Sequence, residues 1–271
     1  MGDRPRPLAI RDEMATVLTR KAGFVFWKSN FKFLQEHNGL RPSNLHLILG
    51  STHIGKSTLV RSILADLARY NSDYTRCLVW LSEESVKDFT LEFSCIGIPK
   101  ELIENIRVIS EQDIGLSERE TAQIFQAEAS KSSIVIFDNI TTSCFYMDKK
   151  VEVQSSVATF LKHLVNKVNI PIILVAHTRT GISEGHSFLI EPEDIRGCRS
   201  IVNLIEFCYV LQAVRADDKF YPFLRICKNR GQEVSSRLFL LKYNLESRIY
   251  SHDKAVSFDF FKDIFKERNK L

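Results

Sequence analysis

The chain has 271 residues, 44% of them hydrophobic and 26% charged, with a formal net charge of +4. This composition excludes a disordered or fibrous chain and leaves enough length for one large α/β core. The mild positive balance is compatible with a nucleic-acid partner without demanding one. No apolar run reaches the roughly twenty residues of a membrane helix, and the early residues lack a signal-peptide core. Cys77, Cys95, Cys144, Cys198, Cys208 and Cys227 show no C-x-x-C spacing and read as reduced thiols of a cytoplasmic protein.

In chain order, Leu8, Met14, Val17 and Leu18 predict an amphipathic helix over 8–21. It packs either on its own domain or on a neighbouring subunit. Phe24, Phe26, Trp27, Phe31, Phe33 and Leu34 follow, beside Lys28 and Lys32. Such a run could stack bases, but its density of aromatics is read here as core.

Leu45, Leu47, Ile48 and Leu49 predict a short buried strand. Gly50, Ser51, Thr52, His53, Ile54, Gly55, Lys56 and Ser57 then fit G-x-x-x-x-G-K-S/T, the phosphate loop, with Thr58 opening a helix (Leu59, Val60, Ile63, Leu64, Leu67). The order has a physical reason. Backbone N–H groups of the loop form an anion nest, and the helix start adds its positive dipole end. Gly50 and Gly55 let phosphate approach, Lys56 reaches the terminal phosphates, and Ser57 suits Mg²⁺. Nucleoside triphosphate binding is therefore expected.

Residues 77–81 predict a second strand, ending at Glu83 and Glu84. A carboxylate there is placed to polarise a water toward a γ-phosphate, although acids also favour the start of the next helix, expected over 86–93. A strand over 106–109 precedes a helix over 117–130 whose Ser-Glu-Arg-Glu start fits a capping box. Residues 133–138 form an apolar run ending in Asp138, a carboxylate aimed at Mg²⁺. A polar loop (141–150), an amphipathic helix (151–168) and a strand (170–176) lead to His177, a candidate γ-phosphate sensor at a strand's carboxyl end. The polar loop 178–199, with Arg179, Arg196, Gly197 and Arg199, suits contacts to a nucleic-acid backbone. Antiparallel strands are expected over 206–213, 222–228, 237–243 and 248–250, then a helix over 257–268 with Phe258, Phe261, Ile264 and Phe265 on one face. Alternation of strand and helix from 44 to 176 implies a mostly parallel sheet with helices on both faces and an antiparallel C-terminal edge.

From residue 24 to 250 the sequence resembles the RecA-fold motor domain of DnaB-type hexameric replicative helicases. Gly39-Leu-Arg-Pro-Ser-Asn-Leu45 before the phosphate loop looks like that family's G-L-x-P-S-D-L lead-in. LSEES (81–85) resembles its F-S-L-E-M segment, which implies Glu84 as the water-polarising base. IVIFDN and VAHTR occupy the places of its magnesium and sensor strands, and EDIRGCRSI resembles its DNA-binding element. CKNRGQ is similar to its K-x-R-x-G hairpin, which implies that Lys228 and Arg230 enter the neighbouring subunit's site in trans. Arg199 departs from the pattern by replacing a small residue.

The resemblance implies an α/β, RecA-like phosphate-loop NTPase: a tail and linker helix (1–38), an ATPase core (39–251) and a C-terminal helix (252–271). It also implies ATP with Mg²⁺, single-stranded DNA, a homo-oligomeric ring (a hexamer in that family), replication-protein partners and no membrane. The implied activity is ATP-driven DNA unwinding. An ATP-switched loading or assembly factor, or a recombinase, is the alternative.

Overall fold

The computed structural model describes residues 28–36, 39–71, 76–97, 103–179, 189–216, 219–230 and 237–268. The helix expected over 8–21, the aromatics Phe24, Phe26 and Trp27, and Gly181, Gly185 and His186 of the long loop lie outside these residues. Nine strands form one sheet, in the order β3-β2-β4-β5-β1-β6-β7-β8-β9. They are β1 (Leu45–Gly50), β2 (Cys77–Leu81), β3 (Ile106–Ser110), β4 (Ile134–Asp138), β5 (Ile172–His177), β6 (Phe207–Ala216), β7 (Lys219–Asn229), β8 (Leu238–Asn244) and β9 (Ile249–Val256). The strands from β3 to β6 pair in parallel, and β7, β8 and β9 add an antiparallel edge.

Alternation along the central strands fills two cores. Ile48, Val79, Ile136 and Val175 face one side, against α1 (Lys32–Gln35), α2 (Lys56–Tyr70) and α3 (Val86–Ser94). Leu47, Trp80, Phe137 and Leu174 face the other. That side is covered by α4 (Glu111–Ile114), α5 (Glu118–Ala129), α6 (Val151–Val168) and α7 (Ser200–Leu204). Such double burial is why these strands read as continuous apolar runs. A third cluster seats Phe261 and Ile264 of α8 (Phe258–Arg268) on Val214, Phe223 and Leu238.

Phe31 and Phe33 are 2% and 0% exposed, so the described part of the aromatic run is core. Ser117 and Glu120 make the expected capping box at the start of α5. Three details differ from the sequence reading. β6 is the hinge of the sheet, parallel to β1 and antiparallel to β7. β9 extends to Val256, because pairing with β8 holds polar residues that carry no apolar signal of their own. Tyr146, inside a stretch read as a polar loop, is buried. Among the described residues no helix is long and apolar enough to cross a membrane.

Candidate active site

The carboxyl ends of β1, β2, β4 and β5 share one sheet edge. There β1 hands the chain to the phosphate loop. A Cβ on Gly50 would lie 2.6 Å from the Leu211 carbonyl oxygen. One on Gly55, whose φ is +96°, would lie 2.6 Å from the Tyr250 hydroxyl. Neither position has room for a side chain, so the backbone itself faces the cradle. Ser51, Thr52, His53 and Ile54 span the loop, with Thr52 and His53 exposed, and α2 begins at Lys56 with its unpaired N–H groups directed to the same edge. Ser57 and Thr58 occupy the first helical turn.

Lys56 is buried. Its Nζ donates to the Ser51 carbonyl at 2.8 Å and lies 2.9 Å from His177 Nδ1. Burial pulls its pKa down to about 8, against the pull of Asp138 and Glu83. The other ring nitrogen, His177 Nε2, is 2.6 Å from Glu83 Oε1. An ionised carboxylate only accepts, so Nε2 carries the proton and Nδ1 is free to accept from Lys56. The bond from His177 holds Glu83 below the usual carboxylate range.

Asp138 ends β4 in full burial, which raises its pKa, while a hydrogen bond from the Ser57 hydroxyl opposes the rise. Ser82 locks this strand end to β2: its N–H donates to the Asp138 carbonyl at 2.9 Å, and its hydroxyl oxygen accepts from Asn139 N–H at 3.0 Å. Ser57 and Asp138 thus offer two hard oxygen donors in hydrogen-bond contact, the donor set that Mg²⁺ prefers. The residues fit a magnesium–nucleotide.

Glu84 meets a partner that the sequence reading did not single out. Arg61, on α2, reaches it through one nitrogen: Nη2 donates to Oε1 at 2.8 Å and to Oε2 at 2.6 Å. Burial nevertheless raises the Glu84 pKa to about 7, with Arg61 opposing. Arg61 lies four residues after Ser57, on the same helical face. The signal was a cation directly after the apolar Leu59 and Val60, on a stretch of helix expected to face the core. Tyr250, packed against Gly55, gave no comparable local signal.

The segment after β5 returns to the site. Thr178 and Ile195 form an antiparallel bridge, Arg179 N–H donates to the Asp194 carbonyl at 2.9 Å, and Arg196 N–H donates to the His177 carbonyl at 2.8 Å. Arg179, Arg196 and Arg199 are exposed. Gly197 has φ +93°, and a Cβ there would fall 2.5 Å from the Tyr146 ring, so its absent side chain serves packing. The Tyr146 hydroxyl clasps Cys198 from both sides, accepting from its N–H and donating to its carbonyl.

Lys228 and Arg230 stand elsewhere. Lys228 Nζ donates to the Val202 carbonyl at 2.5 Å, and Arg230 Nη2 to the Asn203 carbonyl at 2.8 Å. Burial, then the neighbouring Arg230 charge, lower the Lys228 pKa. Arg230 Nη1 is 3.3 Å from Glu206 Oε1, an oxygen shared with Lys162 Nζ at 2.8 Å. Glu206 Oε2 accepts the Leu45 N–H at 2.9 Å. Leu45 opens β1 and Gly50 closes it, so Arg230 sits at the sheet edge opposite the phosphate loop, about 17 Å away at the rise of a strand.

A KaiC-like protein from the hyperthermophilic archaeon Pyrococcus horikoshii OT3 superposes with a TM-score of 0.62 at 15% identity, over 86% of this chain and 100% of that one. A DnaB-like replicative helicase, solved in a study of its interactions with primase, superposes with a TM-score of 0.68 at 14% identity, over 93% of this chain and 68% of that one. The fold is that of the RecA-like NTPases. At these identities the likeness speaks for the fold alone. The sequence matches no protein-family model, and no curated protein matches it significantly. Within the RecA-like sheet, Lys56, Ser57, Glu83, Glu84, Asp138 and His177 are gathered at one edge, Arg179, Arg196 and Arg199 adjoin it, and Lys228 and Arg230 lie at the other.

Proposed function

We propose that the protein is an ATP-dependent motor on single-stranded DNA, a DnaB-type helicase acting in replication as a homo-oligomeric ring with ATP between subunits. The observation that carries this reading is the placement of the basic pair. Arg230 is too far from its own phosphate loop to touch a nucleotide there, yet it is exposed and held in a fixed pose on Glu206 and Asn203. That arrangement suits a finger offered to a neighbour's site. The loop backbone and Lys56 bind the triphosphate, Ser57 and Asp138 hold Mg²⁺, and Glu84 takes the proton of the attacking water. When bound, the metal neutralises phosphate charge and orients the in-line displacement. His177 releases Lys56 to the γ-phosphate, and its carbonyl carries that event to Arg196. Arg179, Arg196 and Arg199 contact the phosphates of the strand, and Gly197 lets their segment pack closely.

ATP hydrolysis by the purified protein, with and without single-stranded DNA and with Lys56→Ala as control, tests the reading. Strong stimulation by DNA, absent in the control and tied to fork separation, is expected. A second reading, an ATP-switched assembly factor, is favoured by one observation: both candidate bases are engaged, Glu83 by His177 and Glu84 by Arg61. Slow turnover indifferent to DNA, with nucleotide-dependent assembly, would support that reading instead.

A further inference from the structure

We infer that Arg61 is a positioning residue for hydrolysis, holding the Glu84 carboxylate in place on the same helix that presents Ser57. The inference rests on the ATPase reading above and on Glu84 as its base.

Arg61 is 7% exposed, an expensive place for a cation in the middle of α2. Its neighbours explain where it points. Phe89 lies under the guanidinium, with its ring centroid 5.3 Å from Cζ, and Glu92 Oε2 is 3.4 Å from Nη1. Both belong to α3, so the planar group is clamped between that helix and its own. Its Nε is buried with no hydrogen-bond partner among the described residues. The guanidinium therefore gives up a hydrogen bond to sit in this orientation. A purely structural ion pair gains little from such a position, because desolvation offsets most of the attraction. The orientation does place one nitrogen, Nη2, across both oxygens of Glu84.

That contact fixes the carboxylate's rotamer without using up its basicity, since each oxygen keeps a lone pair for a water. α2 then controls two parts of one reaction. Ser57 meets the Asp138 carboxylate, and Arg61, one turn later, sets the neighbouring base. A shift of the helix start would move both together.

The test is a double-mutant cycle on ATP turnover in the full chain. Glu84→Gln should lower kcat by about 10²–10⁴-fold, as loss of a general base does. Arg61→Gln should lower kcat by about 10–100-fold through misplacement alone, with KM for ATP little changed. The double variant should be no slower than Glu84→Gln, because Arg61 acts only through that carboxylate. Arg61→Lys should recover part of the loss, since a single nitrogen makes both contacts. Thermal unfolding identifies any variant that fails to fold, and Arg61→Lys then carries the cycle.

If the two single losses multiply in the double variant, or if Arg61→Gln raises KM and spares kcat, the positioning role is overturned. Should Glu84→Gln be inactive while Arg61→Gln turns over normally, only the role of Arg61 falls. Were Glu84→Gln itself to turn over normally, the base assignment would fall first and this inference with it.

Discussion

Gly55→Ala concentrates the reasoning about the phosphate loop into one atom. The new methyl must occupy a left-handed backbone, φ +96°, which costs about 1–2 kcal/mol for an L-residue. It must also share space with the Tyr250 hydroxyl, 2.6 Å from its ideal position, and overpacking a buried site costs about 1–3 kcal/mol. Together these give about 2–5 kcal/mol, or a melting temperature lower by on the order of 10 °C in a chain of this size. The two contributions can be separated. Tyr250→Phe removes the oxygen and leaves Cζ at 3.6 Å, an ordinary contact. Gly55→Ala combined with Tyr250→Phe should recover the packing share and keep the torsional share. Thermal melts of the four proteins give the stabilities, and fluorescent-ATP titration gives affinity, which should stay weak in both Ala variants because the nest is distorted. If Gly55→Ala melts like the parent, or Tyr250→Phe rescues nothing, the proposed contact between β9 and the loop is wrong.

Other outcomes follow from the charges. Glu84 is a usable base only above its raised pKa of about 7, and Lys56 loses its charge above about 8. The pH profile of kcat/KM should therefore be bell-shaped, rising through about 7 and falling beyond about 8, and a flat profile from pH 6 to 9 would refute the assignment. The same Glu84 shift acts on stability with a defined sign. Its folded pKa exceeds the ordinary 4.5, so its contribution is complete below 4.5 and is lost as pH rises through about 7, measurable in urea melts across that window. Arg230→Ala should bind ATP normally and hydrolyse it about a thousandfold more slowly. Mixed with Lys56→Ala subunits it should regain turnover, since each variant supplies what the other lacks. Absence of complementation would argue against a shared site. Ser117→Ala removes the α5 cap and should cost about 1 kcal/mol in denaturant melts, with hydrolysis untouched.

The parallel half of the sheet was legible because its strands are buried on both faces and their apolar runs alternate with periodic helices. The phosphate loop, Asp138 and His177 were legible because each follows such a strand directly. What escaped was set by partners distant in sequence. Arg61 reads as one charge in a helix until Glu84 is beside it. Tyr146 sits among polar residues, and only the return of Cys198 makes it core. β9 is half polar, and its extent depends on seven residue pairs with β8 that no local pattern announces. The position of Arg230 could be named from a motif, but not the sheet edge it occupies, which depends on β6 running beside β1.

Residues 194–206 cross the molecule from one edge of the sheet to the other. Their first part is fastened to the His177 carbonyl, and their last part carries the carbonyls of Val202 and Asn203 on which Lys228 and Arg230 rest. With Arg196 and Arg199 exposed between those anchorages, a single crosspiece joins the candidate nucleotide site to the basic pair at the opposite edge, and in the proposed ring it would link the chain's own nucleotide, the strand and the neighbouring subunit. Timing around such a ring would be carried by the backbone of this crosspiece, so a substitution that shifts α7 as a unit, and not one that merely alters an exposed side chain, should spoil the order of firing before it spoils any single shot.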